Sequence, residues 1–132
     1  MARYSGRRGA VYIAITATGA ATSVVSLTSW SLDMSQDKLD VTSFLDTNKI
    51  VVPGLRDVSG SFEGNWDDTE TKIFAGAIST TGCNMILYPS LDAPTRYASG
   101  VAWIDGSLNT GVNDAVKVTV NFAAANSWYI GL

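Results

Sequence analysis

The sequence predicts an α+β, mainly β fold: an antiparallel β-sandwich or barrel flanked by one short helix at about 68–79. Three observations carry that expectation. From Asp57 to Trp66 the residues alternate, with Val58, Gly60, Phe62, Gly64 and Trp66 on one side and Asp57, Ser59, Ser61, Glu63 and Asn65 on the other, the period of a half-buried strand. Val116, Val118, Val120 and Phe122 alternate in the same way with Lys117, Thr119 and Asn121. Between these runs the period changes, and Ile73, Phe74, Ala77 and Ile78 fall on one helical face.

The elements follow in order. A polar, glycine-containing N-terminal arm, residues 1–9, leads into a first strand at 10–17, rich in β-branched and aromatic types. Its apolar run is broken by Thr16 and Thr18, so it reads as a retained strand rather than a secretory signal. After a turn at Gly19–Thr22, a long β-run extends from Val24 to about Asp33, with Thr28, Trp30, Leu32 and Met34 sharing a face, and continues to Thr42. A long loop is expected at 43–54, where Asp46-Thr47-Asn48 and Pro53-Gly54 supply turn chemistry. Ile50-Val51-Val52 is apolar within that loop, and an exposed apolar segment of this kind packs on a partner.

The two glycines on the apolar side of 57–66 imply close approach of another backbone or ring. Asp67 followed by Glu70 has the spacing of a capping box, which places the helix start next to it. Gly82 ends that segment, and strands follow at 84–88, 95–105 and 112–122, with Pro89, Pro94, Gly106 and Gly111 at the joints. Trp128-Tyr129-Ile130 reads as a short edge strand. The chain of 132 residues fits one domain, 1–132, and is long enough to bury a core of its own.

Composition excludes several classes of function. Histidine is absent, which removes Ser-His and Cys-His nucleophile pairs and imidazole metal ligands. A single cysteine, Cys83, forms no disulfide framework and has no basic neighbour in sequence to activate it. Phosphate-binding and nucleophile-elbow motifs are absent. The carboxylates Asp33, Asp37 and Asp40, and the second group Asp67, Asp68 and Glu70, lack the glycine-turned loop of a calcium site. The expectation is therefore no enzyme, no metal and no cofactor. Nine basic and twelve acidic residues give a net charge of −3, unlike a duplex-wrapping protein. No run approaches the ~18 apolar residues of a membrane span, so no membrane partner is expected. Trp30, Trp66, Trp103 and Trp128 can be read as a sugar-binding platform, but Trp30 and Trp66 lie on apolar-alternating faces, which favours core packing.

The segments Ser29-Trp30-Ser31-Leu32-Asp33, Leu39-Asp40-Val41-Thr42-Ser43-Phe44 and the run from Pro53 to Trp66 resemble the tail tube proteins of long-tailed bacteriophages. Leu87-Tyr88-Pro89 and Tyr97-Ala98-Ser99-Gly100 extend the resemblance over most of the chain. The resemblance implies a structural virion protein, assembled in the bacterial host cytoplasm into homo-oligomeric rings, commonly hexameric. These rings stack with other phage structural proteins into a tube through which phage DNA passes without sequence-specific binding. It also implies that the loop at 43–54 reaches an adjacent subunit. The subunit-interface residues expected on this reading are Arg3, Arg7, Arg8, Phe44, Ile50, Val51, Val52 and Pro53. Related sandwiches serve as capsid decoration, cement or connector proteins, and those roles stand as alternatives, as does a carbohydrate-binding surface module.

Overall fold

The structure is a computed structural model that describes residue 3 and residues 5–132. Met1, Ala2 and Tyr4 of the expected N-terminal arm lie outside the described residues. A 3-10 turn at Gly6–Arg8 is followed by β1 (Ala10–Ala14), β2 (Thr22–Ser23), β3 (Leu27–Asp40) and β4 (Val51–Asn65). Next come the helix α1 (Lys72–Ala77), then β5 (Cys83–Tyr88), β6 (Ala98–Gly111), β7 (Asp114–Ala124) and β8 (Tyr129–Ile130). The strands form one antiparallel sheet in the order β2-β1-β5-β6-β7-β4-β3, curled into a half-barrel, with β8 paired to the start of β6.

Strand periodicity decides what the curl encloses. Val58 and Phe62 of β4, Val118, Val120 and Phe122 of β7, and Ala98, Ala102 and Ile104 of β6 all point inward. They meet Val11 and Ile13 of β1 and Cys83, Met85 and Leu87 of β5. The ladder keeps the rows aligned: Phe62 faces Val120, and Ile104 faces Phe122. Burial of each large apolar side chain contributes about 1.5–3 kcal/mol. The open side of the half-barrel is closed by α1, which buries Ile73, and by Trp128, whose ring stacks on Phe122 at 5.8 Å.

Gly60 allows the strands to approach as the sequence implied. A Cβ at Gly60 would stand 2.7 Å from Phe122 Cζ and nearer still to the Ser31 carbonyl. Gly106, expected at a joint, lies inside β6 instead, where the Phe74 ring covers it. A side chain there would hold the helix off the sheet.

The helix is shorter than its periodicity suggests, and Asp67 does not cap it. Thr71 occupies the N-cap without a side-chain hydrogen bond. The Asp67 carboxylate accepts instead from Thr69 N at 2.9 Å and Thr69 Oγ1 at 2.6 Å, and from Ser26 Oγ at 3.3 Å. These bonds close a turn at 67–69 and postpone the helix to Lys72. Glu70 serves the helix start, accepting from Lys72 N at 3.1 Å while its other oxygen accepts from Val25 N at 3.2 Å.

Because the obstruction at Gly60 includes backbone, Gly60→Ala is expected to destabilise the fold by about 1–3 kcal/mol in urea unfolding. Gly6→Ala, which meets open space, should change stability by less than about 0.5 kcal/mol. Equal effects at the two positions would contradict the packing described.

Candidate functional site

The β3–β4 hairpin is much longer than the sheet that supports it. β4 pairs with β7 only from Ser59 to Asn65, whereas β3 and β4 remain paired out to Asp40 and Val51. The outer part of the hairpin is therefore a two-stranded ribbon with no third strand. It carries apolar side chains in water: Leu39, Val41, Ile50, Val51, Val52 and Leu55 are exposed, and Phe44 and Leu45 at the tip are almost completely so. The expected loop at 43–54 is corrected here. Val51–Gly54 belong to β4, opposite Lys38–Asp40, and the turn occupies 41–50. Pro53 is accommodated because the ladder shifts register between Gln36 and Lys38, and β4 has no neighbour on its other side at that level.

Side chains of the turn satisfy its own backbone. Thr42 Oγ1 accepts from Ile50 N at 2.8 Å and lies 3.3 Å from Ile50 O. Asp46 accepts from Ser43 N at 2.7 Å and from Ser43 Oγ at 3.1 Å. At the neck, Asp40 Oδ1 accepts from Thr42 N at 3.0 Å. Hydrogen bonds from the Thr42 side chain and then its amide hold the Asp40 carboxyl below the ordinary aspartate range.

Five of the expected interface residues, Phe44, Ile50, Val51, Val52 and Pro53, thus share the ribbon. The arginines are elsewhere. Arg7 and Arg8 lie in the 3-10 turn; Arg8 Nε pairs with Asp92 Oδ1 at 3.5 Å, and the Arg8 carbonyl accepts from Leu91 N at 2.9 Å. Arg7 borders a cleft with Trp30 and Pro89, and Arg3 is exposed outside any element.

A second surface comes from the outward side of four consecutive strands, β3-β4-β7-β6. Register lines up Ser31, Ser61, Asn121 and Asp105 in one row, and Ser29, Glu63, Thr119 and Ser107 in the next. Asp33 and Asp57 lie beside these rows, and among the described residues of these strands' outward rows Lys117 is the one cation. The face is hydroxyl-rich and acidic, with Ser29 Oγ donating to Glu63 Oε1 at 3.2 Å. Both of its flanks are open edges among the described residues. β3 pairs with β4 alone, and β6 beyond Ala102 pairs with β7 alone.

No catalytic arrangement emerges from the described residues. Cys83 is fully buried, its Sγ donating to Gly76 O at 3.4 Å, and burial pushes its thiol up. Among the described residues no group of three or more carboxylates or thiols is placed to hold a metal ion, and no helix is long and apolar enough to cross a membrane. The tryptophans form no common platform. Trp128 is buried, Trp30 packs partly on the core, and Trp66 is half exposed, against expectation, because β4 ends at Asn65 and leaves its ring beside α1. Trp103 points to the acidic face. A row of tyrosines did escape the sequence reading: Tyr12, Tyr88, Tyr97 and Tyr129 follow one another with centroids 5.2–5.8 Å apart, the first pair edge-on and the other two tilted. They come from four separate segments and leave no local pattern.

No protein-family model and no curated protein matches the chain. Solved structures do. A chain in the tail of an empty gene transfer agent particle, refined helically with C6 symmetry, is similar over 98% of this chain and 100% of that one, with TM-score 0.83 and 16% identity. The SPP1 tail tube protein is similar with TM-score 0.75 and 15% identity, over 98% of this chain and 80% of its own. The sheath/tube terminator of an extracellular contractile injection system gives TM-score 0.70 and 14% identity, over 98% of both chains. At these identities the fold is what is shared, and it is the fold of tail tube proteins.

The neck of the ribbon yields a titration test. Asp40 should titrate below an ordinary aspartate by NMR, and Thr42→Val should move it up toward the ordinary value. A depressed folded-state pKa stabilises the turn above the unfolded pKa, and that contribution disappears as pH falls through the folded value. The turn should therefore loosen on acidification in the native chain, and less so in Thr42→Val. An Asp40 titration indifferent to Thr42→Val would contradict the bonding described.

Proposed function

We propose that the chain is a structural, non-catalytic tail tube subunit of a phage-like particle, acting over its whole length 1–132 as one ring-forming unit. The observation that carries this reading is the four-stranded acidic face bounded by two open edges. In β3-β4-β7-β6 neighbouring strands alternate in direction, so β3 and β6 run oppositely. When copies are related by rotation, β6 of one copy meets β3 of the next in antiparallel register. The sheets then join into one continuous barrel without exposed edges. Closed rings of this kind need only one repeated heterologous contact. A ring of six is the number we adopt, in keeping with the C6 symmetry of the similar gene transfer agent tail.

The acidic face lines the channel of such a barrel. Lysine and arginine lining a channel bind phosphates through counterion release and retard nucleic acid. Asp33, Asp57, Glu63 and Asp105 against Lys117 leave this face repulsive to DNA, so a genome passes without sequence-specific contact. The apolar ribbon reaches adjacent subunits, where burial of Ile50, Val51 and Val52 contributes several kcal/mol before ordering costs, at roughly 1.5–3 kcal/mol each. The 3-10 turn with Arg7 and Arg8 is tied to the 90s loop and is assigned to contacts outside the channel. The assembled particle, a virion or a related tail, is the site of action.

Purified protein should form rings or rods in negative-stain microscopy. Ile50→Ser together with Val52→Ser should keep the monomer's circular dichroism, since both side chains lie on the ribbon outside the core, and should suppress rods. Unfolding of the double variant would put the segment in the core, and wild-type protein that stays monomeric would overturn the function.

A further inference from the structure

The two free edges of the acidic sheet differ in shape and in charge. Beside the first residues of β3 lies a cleft of about 460 Å³, lined by Gly6, Arg7, Gly9, Leu27, Trp30 and Pro89. Leu27 and Trp30 pack against the core from the inner side of the sheet, yet both are only partly buried, because β3 has no strand beyond it. Gly9 keeps the space open, since a Cβ there would stand 3.3 Å from Trp30 Nε1. Arg7 is exposed at the border of the cleft and has no ion pair among the described residues.

The opposite edge carries a matching projection. β6 ends at Gly111 in a tight turn, Val112-Asn113, that leads into β7 at Asp114. Val112 has its whole side chain in solvent, and Leu108 is 47% exposed. Leu108 faces the core residue Val118 across the ladder, so it too lies on the inner side of the sheet. It is uncovered because no strand follows β6 at that level. Asp114 is exposed, without an ion pair among the described residues. An acid beside two uncovered apolar side chains thus stands at one edge, and a cation beside an aromatic cleft at the other.

Antiparallel joining of the edges brings these features together. The cleft lies where β3 begins, and the projection lies where β6 ends. When β6 of one copy runs against β3 of the next, the end of β6 arrives at the start of β3. A continuous sheet keeps its two faces, so Leu108 comes to the side that holds Leu27 and Trp30. We propose that Leu108 and Val112 of one copy fill the cleft between Trp30 and Pro89 of the next, with Asp114 meeting Arg7. The occupant is a second copy of this chain, and the contact is heterologous, so each copy gives one projection and receives another. Backbone pairing alone accepts any free strand edge, whereas a filled cleft and a matched charge select this one. This inference rests on the tail tube reading and adds the side chains that choose the neighbour.

Charge exchange and crosslinking test it on the full chain. Arg7→Glu and Asp114→Lys should each raise severalfold the protein concentration at which rings appear in sedimentation velocity, and the double exchange should restore it toward wild type. Val112→Ser, at a side chain that touches only solvent in the monomer, should raise that concentration with unchanged circular dichroism. Arg7→Cys and Asp114→Cys in one chain, oxidised in assembled rings, should give a ladder of covalent multimers, and neither single variant should. Wild-type rings with neither rescue nor ladder would overturn the docking while leaving the tube intact. Wild-type protein that forms neither rings nor rods would remove the tube reading and this inference together.

Discussion

Alternation at period two through β6, β7 and β4 holds the structure together, because it assigns every side chain of three adjacent strands to one of two environments. Even-numbered residues from Val58 to Phe62, Ala102 to Ile104 and Val118 to Phe122 fill the half-barrel. Their odd-numbered neighbours make the acidic, hydroxyl-rich face. A slip of one residue between β4 and β7 would place Phe62 in solvent and Glu63 in the core, so the hydrophobic register fixes the polar face as firmly as the core. Gly60 lets β3 and Phe122 crowd the same spot, and Trp128 closes the sheet over Phe122. The function proposed for the outer face therefore depends on burial at the inner one.

The ribbon obeys a different constraint. A two-stranded hairpin is marginal in water, and this one extends past the last strand that could support it. Its turn is held by Thr42, Ser43 and Asp46 bonding to their own backbone, while its apolar side chains remain uncovered. Such an element is costly for an isolated monomer and useful for one that assembles, because exposed β-branched and aromatic surface is what a neighbouring copy can bury. The same holds for the open edges of β3 and β6, which are aggregation hazards in a monomer and joining surfaces in a ring.

Strand identity is legible wherever one side of a strand is buried: the alternation at 57–66 and 112–122 falls on β4 and β7, except that Trp66 lies one residue past β4 and Val112-Asn113 form the turn before β7. Boundaries failed where local chemistry had a second use. Pro53 and Gly54 have turn composition, yet they occupy a strand because β4 is unflanked at that level and the ladder slips between Gln36 and Lys38. Asp67 and Glu70 have capping-box spacing, yet Asp67 is held by Thr69 and Ser26, and Ser26 is distant in sequence. Ile50, Val51 and Val52 stand out in the sequence because apolar residues in an expected loop are anomalous. The acidic face needed the cross-strand register, which places Asp33, Glu63 and Asp105 from three strands on one surface. The tyrosine row and the cleft between Arg7, Trp30 and Pro89 are built from segments far apart in the chain.

The most direct measurement is a reconstruction of the assembled particle at side-chain resolution, read for the residues that line its axis. Asp33, Asp57, Glu63 and Asp105 should face an open channel, with β6 of each copy hydrogen-bonded to β3 of the next and Arg7 and Arg8 away from the lumen. A channel lined by the arginines, or an assembly in which the acidic face points outward, would contradict the account.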